Sequence, residues 1–312
     1  EQLFIENKSD IDQQGKISFS MASEGLVADE TRYNKTSVDY YDTEGFEEES
    51  DQDDLEIGIK SPDVVNWGGI ASNYFLLAIV PTSEKMILKG KYDQEIYRVI
   101  LEAQALIPKG NEQQFETTYY LGPKKSSILS QSPNHLETAI KYGWFDFIAK
   151  PLIKVLNFFY DYVGNYGLAI IILTILIKIV FWPLSQKSYK SMEKMKKLQP
   201  MMQKLKEKYK DDRQKMNQEL MQLYKTYKVN PAGGCLPMLL QIPVFIALYQ
   251  ALMGAIELRH AHFITYVPFT DIFWLADLSA KDPFYVTPVL MGLSMFLQQK
   301  LSPAMGDPTQ AK

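Results

Sequence analysis

The sequence predicts a membrane α-helical bundle of three spans carrying a cytoplasmic helical hairpin, preceded by part of a periplasmic antiparallel β-sandwich. Three features predict it. Long apolar runs occupy the second half of the chain, at or near the length that crosses a bilayer. A strongly basic block, Lys187 to Lys228, sits between the first two of them. From Leu3 to about Lys125, short β-like runs alternate with turn signals instead.

Averages conceal this division. Over 312 residues the formal net charge is −4 and 46% of residues are hydrophobic, values that a soluble globular protein would share. Residues 1 to 60 nevertheless carry a large acidic excess, dense from Asp39 to Glu56. The sole cysteine, Cys235, excludes an intramolecular disulfide, says nothing of the redox compartment, and reads as a small packed residue. The chain opens on polar Glu1-Gln2 and a short apolar stretch, Leu3-Phe4-Ile5, without Met, a basic segment or a signal-type apolar core. It therefore reads as a fragment.

Within residues 1–140 the β-like runs are Lys16 to Ser20, Tyr74 to Val80, Ile96 to Ile100 and Phe115 to Leu121, a pattern expected of an antiparallel sandwich. Asp39 to Glu56 has almost no apolar residues and is expected to be a solvated loop. Its carboxylates lack the glycine and the spacing of a calcium loop, so no metal site is expected.

Residues 141–165 read as an amphipathic interfacial helix. Phe145, Ile148, Leu152, Leu156, Phe159 and Val163 recur at three and four, with Asp146, Lys150, Lys154, Asn157 and Asp161 elsewhere on the wheel. Because an apolar run follows almost at once, that stripe suits a bilayer interface with Trp144 as anchor, although a core helix has the same pattern.

The membrane core is expected over residues 166–312, with spans at about 166–184, 236–256 and 284–300. In the run from Gly167 to Leu184 the only charge is Lys178. Leu236 to Ile256 is interrupted by Pro237, Gln241 and Pro243, which spans tolerate where protein or water satisfies the freed backbone groups. Phe284 to Leu297 is shorter and on length alone also fits a buried soluble helix. Lysine and arginine in short loops stay cytoplasmic, so the block between the first two spans faces the cytoplasm and the β region faces outward. Export of that region requires an earlier signal or span.

Residues 186–229 carry two helical stripes, Met192, Met195, Leu198, Met202, Leu205, Tyr209 and then Met216, Leu220, Leu223, Tyr227, broken by Lys210-Asp211-Asp212. Two antiparallel helices packed along them make a hairpin. Its methionines suit adaptable binding and its lysines suit anionic lipid or ribosomal RNA, while simple packing with a solvated charged face explains the pattern equally well.

Lys178 is the most informative position. An ammonium within an apolar run costs on the order of 3 kcal/mol at the helix centre and usually faces protein or water. Yet Lys178 stands six residues before Leu184, within reach of the cytoplasmic interface by snorkelling. The residues alone leave both readings open.

Gly164-Asn-Tyr-Gly, Lys178 ahead of Phe181-Trp-Pro-Leu, Met192 to Pro200, Val229-Asn-Pro-Ala-Gly-Gly-Cys-Leu-Pro237, Gln241-Ile-Pro243 and Leu278 to Pro283 occur in one order. Together they resemble the YidC family of membrane protein insertases, nearly without gaps from about Tyr142 to Pro308. Upstream, Trp67-Gly-Gly-Ile and Tyr74 to Pro81 resemble the end of that family's periplasmic sandwich, whereas Asp39 to Glu56 matches nothing in it.

The resemblance implies a wet groove open to cytoplasm and lipid, closed outward and lined by one positive charge at Lys178, where many members carry arginine. It implies further groove positions at Thr174 and Gln241, and a hydrophobic slide at Pro237, Ile242, Pro243 and Phe245. Cytoplasmic recruitment falls to Met192, Met195, Lys196 and Lys197. The implied activity helps nascent membrane proteins enter a bacterial inner membrane without covalent chemistry, cofactor, metal or catalytic residue. Implied partners are those nascent chains, lipids, the ribosome and the Sec translocon, with no specific nucleic-acid sequence. The family core has five spans, of which this chain would supply three.

A transporter or channel is the rival reading, since an intramembrane lysine, a glutamine and broken helices also fit a substrate path. No inverted repeat supports it. An intramembrane protease fits less well still, because the spans lack a serine with histidine or an aspartate pair, and His135, His260 and His262 all fall outside them.

Overall fold

The computed structural model describes residues 1–27, 30, 34–210, 212–234, 236–264 and 274–301. Cys235 and the tail beyond Leu301 lie outside them. The chain divides into two compact units, Glu1–Tyr142 with Gly254–Glu257, and Gly143–Met253 with Leu258–Lys312.

The first unit is a nine-stranded antiparallel sheet. Its strands are β1 (Gln2–Glu6), β2 (Gln13–Glu24), β3 (Ser37–Asp42), β4 (Phe46–Glu49), β5 (Ile59–Ala71), β6 (Phe75–Pro81), β7 (Met86–Asp93), β8 (Ile96–Ile107) and β9 (Glu112–Pro123). Two short helices, α1 (Gln52–Ile57) and α2 (Ser126–Leu129), accompany them. The spatial order is β1-β9-β6-β5-β7-β8-β2, with β3 on β5 and β4 on β3. Three of the four predicted strands lie within β2, β8 and β9, and the fourth, Tyr74 to Val80, overlaps β6 from Phe75.

Strand β5 turns this sheet back on itself. Its first half pairs with β7 and its second half lies between β3 and β6, with a register shift between Lys60 and Val64. Pro62 stands in that bulge, where its missing N–H costs no ladder bond. The Ser61 hydroxyl fills the gap by accepting from the Leu88 amide at 3.0 Å and donating to the Asp63 carbonyl at 2.7 Å. The halves so bent enclose one apolar core that includes Phe19, Val38, Ile70, Ile79, Leu88, Leu101 and Phe115. Beyond the bulge, Gly69 lies so close to β6 that a Cβ there would overlap the Leu77 carbonyl oxygen, and only glycine fits.

The acidic stretch Asp39 to Glu56 is not the expected solvated loop; it forms β3, β4 and α1. Local capping explains this. The Asp42 carboxylate accepts from the amides of Glu44 and Gly45 to make the β3–β4 turn, and Asp51 caps α1 by accepting from Asp53. Fully buried Leu55 anchors α1 to the core. Asp39, 1% exposed, is neutralised by the Lys124 ammonium at 3.3 Å and by the Ser37 hydroxyl at 2.6 Å.

On β8, Glu102 bridges Lys16 at 2.8 Å and Lys89 at 2.6 Å, and these two partners, Lys16 foremost, hold its carboxyl down at about 2. Because the folded value lies below the ordinary 4.5, this stabilisation is complete above pH 4.5 and disappears as pH falls through about 2. Glu102→Gln is therefore expected to shrink the fall in melting temperature of the β unit between those pH values. An unchanged acid limb in a thermal melt series contradicts the bridge.

The second unit is helical: α3 (Asp146–Val163), α4 (Tyr166–Lys208), α5 (Arg213–Thr226), α6 (Leu236–Gly254) and α7 (Val286–Leu301). α3 packs on α4. Its buried residues are Ala149, Ile153 and Leu156, so the inward face is turned by about one position from the predicted stripe. Trp144, Phe147, Phe158 and Tyr162 are exposed. Gly164 ends α3 in the left-handed conformation at φ 64°, and Tyr160 and Tyr166 stack at 3.8 Å across the corner.

α4 runs 43 residues without a break, through Pro183 and Pro200. At 1.5 Å per residue that is about 65 Å, twice the apolar thickness of a bilayer. α5 lies against its last part, where the Tyr224 hydroxyl contacts Met202 Sδ at 3.8 Å.

Among the described residues two helices, α4 and α6, are long and apolar enough to cross a membrane, and their most apolar stretches are only 17% and 11% buried. α7, with 16 residues all exposed, reaches only about 24 Å at 1.5 Å per residue, short of the ~30 Å apolar thickness of a bilayer. Large apolar side chains exposed in such numbers would be unstable in water and are ordinary against lipid.

Candidate functional site: one charged face on an apolar helix

Thr174 and Lys178 stand one turn apart on α4, hence on one face. Thr174 is half-buried and donates its hydroxyl to the Ile171 carbonyl at 2.8 Å, the usual way a membrane helix satisfies a threonine. Lys178 is exposed and has no hydrogen-bond or ion-pair partner among the described residues. Its neighbours Ile175, Ile179 and Val180 are exposed apolar side chains. An ammonium among such groups must find water, a lipid headgroup or a substrate carboxylate.

On α6, Gln241 is half-buried, as are Pro237 and Pro243, while Ile242 and Phe245 are exposed. Pro243, inside the helix, removes one backbone donor and leaves a carbonyl free. Among the described residues no hydrogen bond or ion pair joins Gln241 to Thr174 or Lys178, so the predicted groove residues occupy two separate helices.

Met192 and Met195 are half-buried and Lys196 is exposed on the same long helix. Lys197 pairs with Glu193 at 2.9 Å. This exposed i,i+4 pair is screened by solvent and contributes little, leaving Lys197 available for exchange with another anion.

Sequence reading missed two groups of polar residues that brace this helix. The buried Ser188 hydroxyl donates to the Gly234 carbonyl at 2.5 Å, and Ser191 donates to Asn230 at 3.2 Å, fastening the loop ahead of α6 to α4. At the other end Asn165 caps α4, its side-chain oxygen accepting from the Leu168 amide at 3.1 Å, while its amide nitrogen donates to the Phe263 carbonyl at 3.0 Å. Only the cap was legible, as an asparagine just ahead of an apolar run.

Before α7, the Asp282 carboxylate receives the amides of Phe284 and Thr287, the Thr287 hydroxyl and the Trp274 indole. Partial burial raises its carboxyl, but these donors together outweigh burial and hold it below the usual carboxylate range. Asp277 is likewise held low, chiefly by the Ser279 hydroxyl, with His260 Nδ1 at 3.0 Å adding to it.

Comparison with known proteins agrees with this architecture. Residues 2–155 match the family model of the YidC periplasmic domain, and residues 158–312 match that of the 60Kd inner membrane protein. A membrane protein insertase YidC from Nitratidesulfovibrio vulgaris strain DP4 is 57% identical over 313 residues, covering 100% of this chain and 59% of its own length. The protein of that name from Oleidesulfovibrio alaskensis is 56% identical over 314 residues, at 100% and 58%. That from Geobacter sulfurreducens is 48% identical over 262 residues, at 83% and 48%. The chain thus spans less than two thirds of the curated relatives it matches. With both of its units matched, the chain belongs to the YidC family of bacterial inner membrane proteins.

Proposed function

We propose that the protein inserts hydrophobic segments of nascent proteins into the bacterial inner membrane, with Lys178 as the charge that attracts their polar outer parts. The observation that carries this is the unpartnered, exposed Lys178 on an otherwise apolar helix face shared with Thr174. The name membrane protein insertase borne by the relatives supports it and gives no support to a transporter or channel.

In this reading α4, α6 and α7 are three spans, and the end of α4 with α5 is a cytoplasmic hairpin. The domain limits are those drawn from the sequence, 1–140, 141–165 and 166–312. A hydrated pocket partway into the bilayer shortens the path over which a polar segment is desolvated. Lys178, Thr174 and Gln241 would line it, and Pro237, Ile242, Pro243 and Phe245 would offer the apolar segment a route into lipid. Nothing in this action makes or breaks a covalent bond. Lipids, the ribosome through Met192, Met195, Lys196 and Lys197, and the Sec translocon would be its partners.

Photocrosslinking from Thr174, Lys178 and Gln241 in the full-length protein tests the reading. Nascent membrane proteins should crosslink from all three, and an exposed lipid-facing position such as Leu293 should not. Equal yields from every position refute a groove. The topology has its own check: protease outside spheroplasts should digest the β unit and spare α5, and the reverse result overturns the orientation.

A further inference from the structure

We propose that Asn165 is a positioning residue that latches the segment following α6 onto the outer end of α4 and closes that end to water. The face bearing Thr174 and Lys178 then opens only from the other end. The consequence for insertion rests on the function proposed above, whereas the latch itself can be tested without any substrate.

Both ends of the Asn165 amide are used. Its oxygen satisfies the Leu168 amide and its nitrogen holds the Phe263 carbonyl. Asp would cap the helix as well, but its carboxylate brings no donor for the second bond.

Phe263 belongs to a braced pair of segments. Its amide donates to the Leu275 carbonyl at 3.0 Å, and the Leu278 amide donates to Ala261 at 2.8 Å. His260 is held twice by the Asp277 carboxylate, through its amide at 3.2 Å and its ring at 3.0 Å. The Asn165 bond ties this pair to α4.

The Phe263 ring supplies the seal. It lies over Gly167, where a Cβ would overlap the ring atoms, so the absence of a side chain there is what lets the ring seat on the helix. Gly167 is buried below it, and Thr174 and Lys178, seven and eleven residues further on, share its face of the helix. From Asn165 to Thr174 is about 14 Å along the axis, and to Lys178 about 20 Å. Water entering past an unseated Phe263 would reach Thr174 first.

The test uses full-length protein with Cys235 and any other cysteine replaced by serine, carrying Thr174→Cys and probed in spheroplasts with a membrane-impermeant maleimide. Trp144→Cys, at an exposed position just ahead of α3, marks full outside access. With Asn165 present, the thiol introduced by Thr174→Cys should be protected from outside. Asn165→Asp keeps the cap and removes the donor, and Phe263→Ala removes the ring. Each should raise the labelling rate by about tenfold, the scale for losing one hydrogen bond or one buried contact from a closed state.

Membrane yield and protease resistance select folded variants, and Asn165→Gly, which caps at little cost and has no side-chain donor, substitutes if Asn165→Asp is lost. Labelling that stays at the parent level in all of them overturns the latch. So does a parent already labelled at the Trp144→Cys rate. Failure of insertion with labelling unchanged counts against the latch, and faster labelling with normal insertion supports it while separating it from the insertase reading.

Discussion

Lys178→Ala is expected to slow insertion of single-span substrates with acidic outer segments about tenfold or more, while Lys178→Arg remains close to the parent. An ammonium and a carboxylate about 4 Å apart attract by ~1 kcal/mol in water and by ~4 kcal/mol at an effective dielectric of 20. The groove proposed above, half wet, would lie between these limits, and each ~1.4 kcal/mol is a factor of ten in rate. The structure leaves the charge uncommitted, since among the described residues no carboxylate pairs with Lys178, so its attraction is free for a passing substrate. Arginine keeps the charge and adds a planar fork that a transient contact does not need. Substrates with neutral outer segments should be affected much less. If Lys178 instead only snorkels to the interface, alanine removes a costly charge and insertion of both kinds remains normal. Measuring an acidic and a neutral substrate at matched expression decides between the two.

What the sequence revealed and what it hid follow from the range of the interactions. Length and composition alone marked the apolar parts of α4 and α6, and short-period alternation marked parts of β2, β6, β8 and β9. Strand β5 escaped because Pro62 and Gly68-Gly69 are strand-breaking signals, acceptable only where a bulge and a close approach to β6 accommodate them. β3 and β4 escaped because their carboxylates read as solvated. The lysine that permits Asp39 to be buried lies 85 residues away.

The candidate site divides in the same way. Lys178 stands out as a charge in an apolar run, and its relation to Thr174 follows from helix geometry. The second bond of Asn165 is invisible in the sequence, because Phe263 lies 98 residues further on. The sequence suggests a first span ending near residue 184 and a hairpin beginning at 186, yet α4 passes through Pro183 and Pro200 as one helix. Each proline removes one backbone donor, a loss that a long helix with exposed carbonyls there absorbs. One consequence is mechanical: a force on the basic end of α4 has a continuous rod leading to Lys178.

That continuity sharpens the second large effect. Replacing Met192 to Tyr227 by a linker of a few glycines and serines is expected to reduce insertion of ribosome-delivered substrates severalfold while the spans stay folded. The cut spares the junction that holds α4 to the loop before α6, because Ser188 and Ser191 remain and still reach the carbonyls of Gly234 and Asn230. Those bonds hold Ser191 beside Asn230, two residues from the other cut end at Lys228, so a short linker closes the chain, and its entropic cost changes little with length. Removed with the segment are the half-buried methionines Met192, Met195 and Met202 and the exposed lysines Lys196 and Lys197, an adaptable apolar seam edged by cations. Such a surface suits nucleic-acid phosphate and anionic lipid alike, and both attractions weaken as salt rises. Insertion by the parent in a reconstituted system should therefore decline with ionic strength, and the shortened variant should be both slower and less salt-sensitive. If every substrate inserts at the parent rate with the same salt dependence, the hairpin is only a connector, and recruitment must be sought elsewhere in the full-length protein.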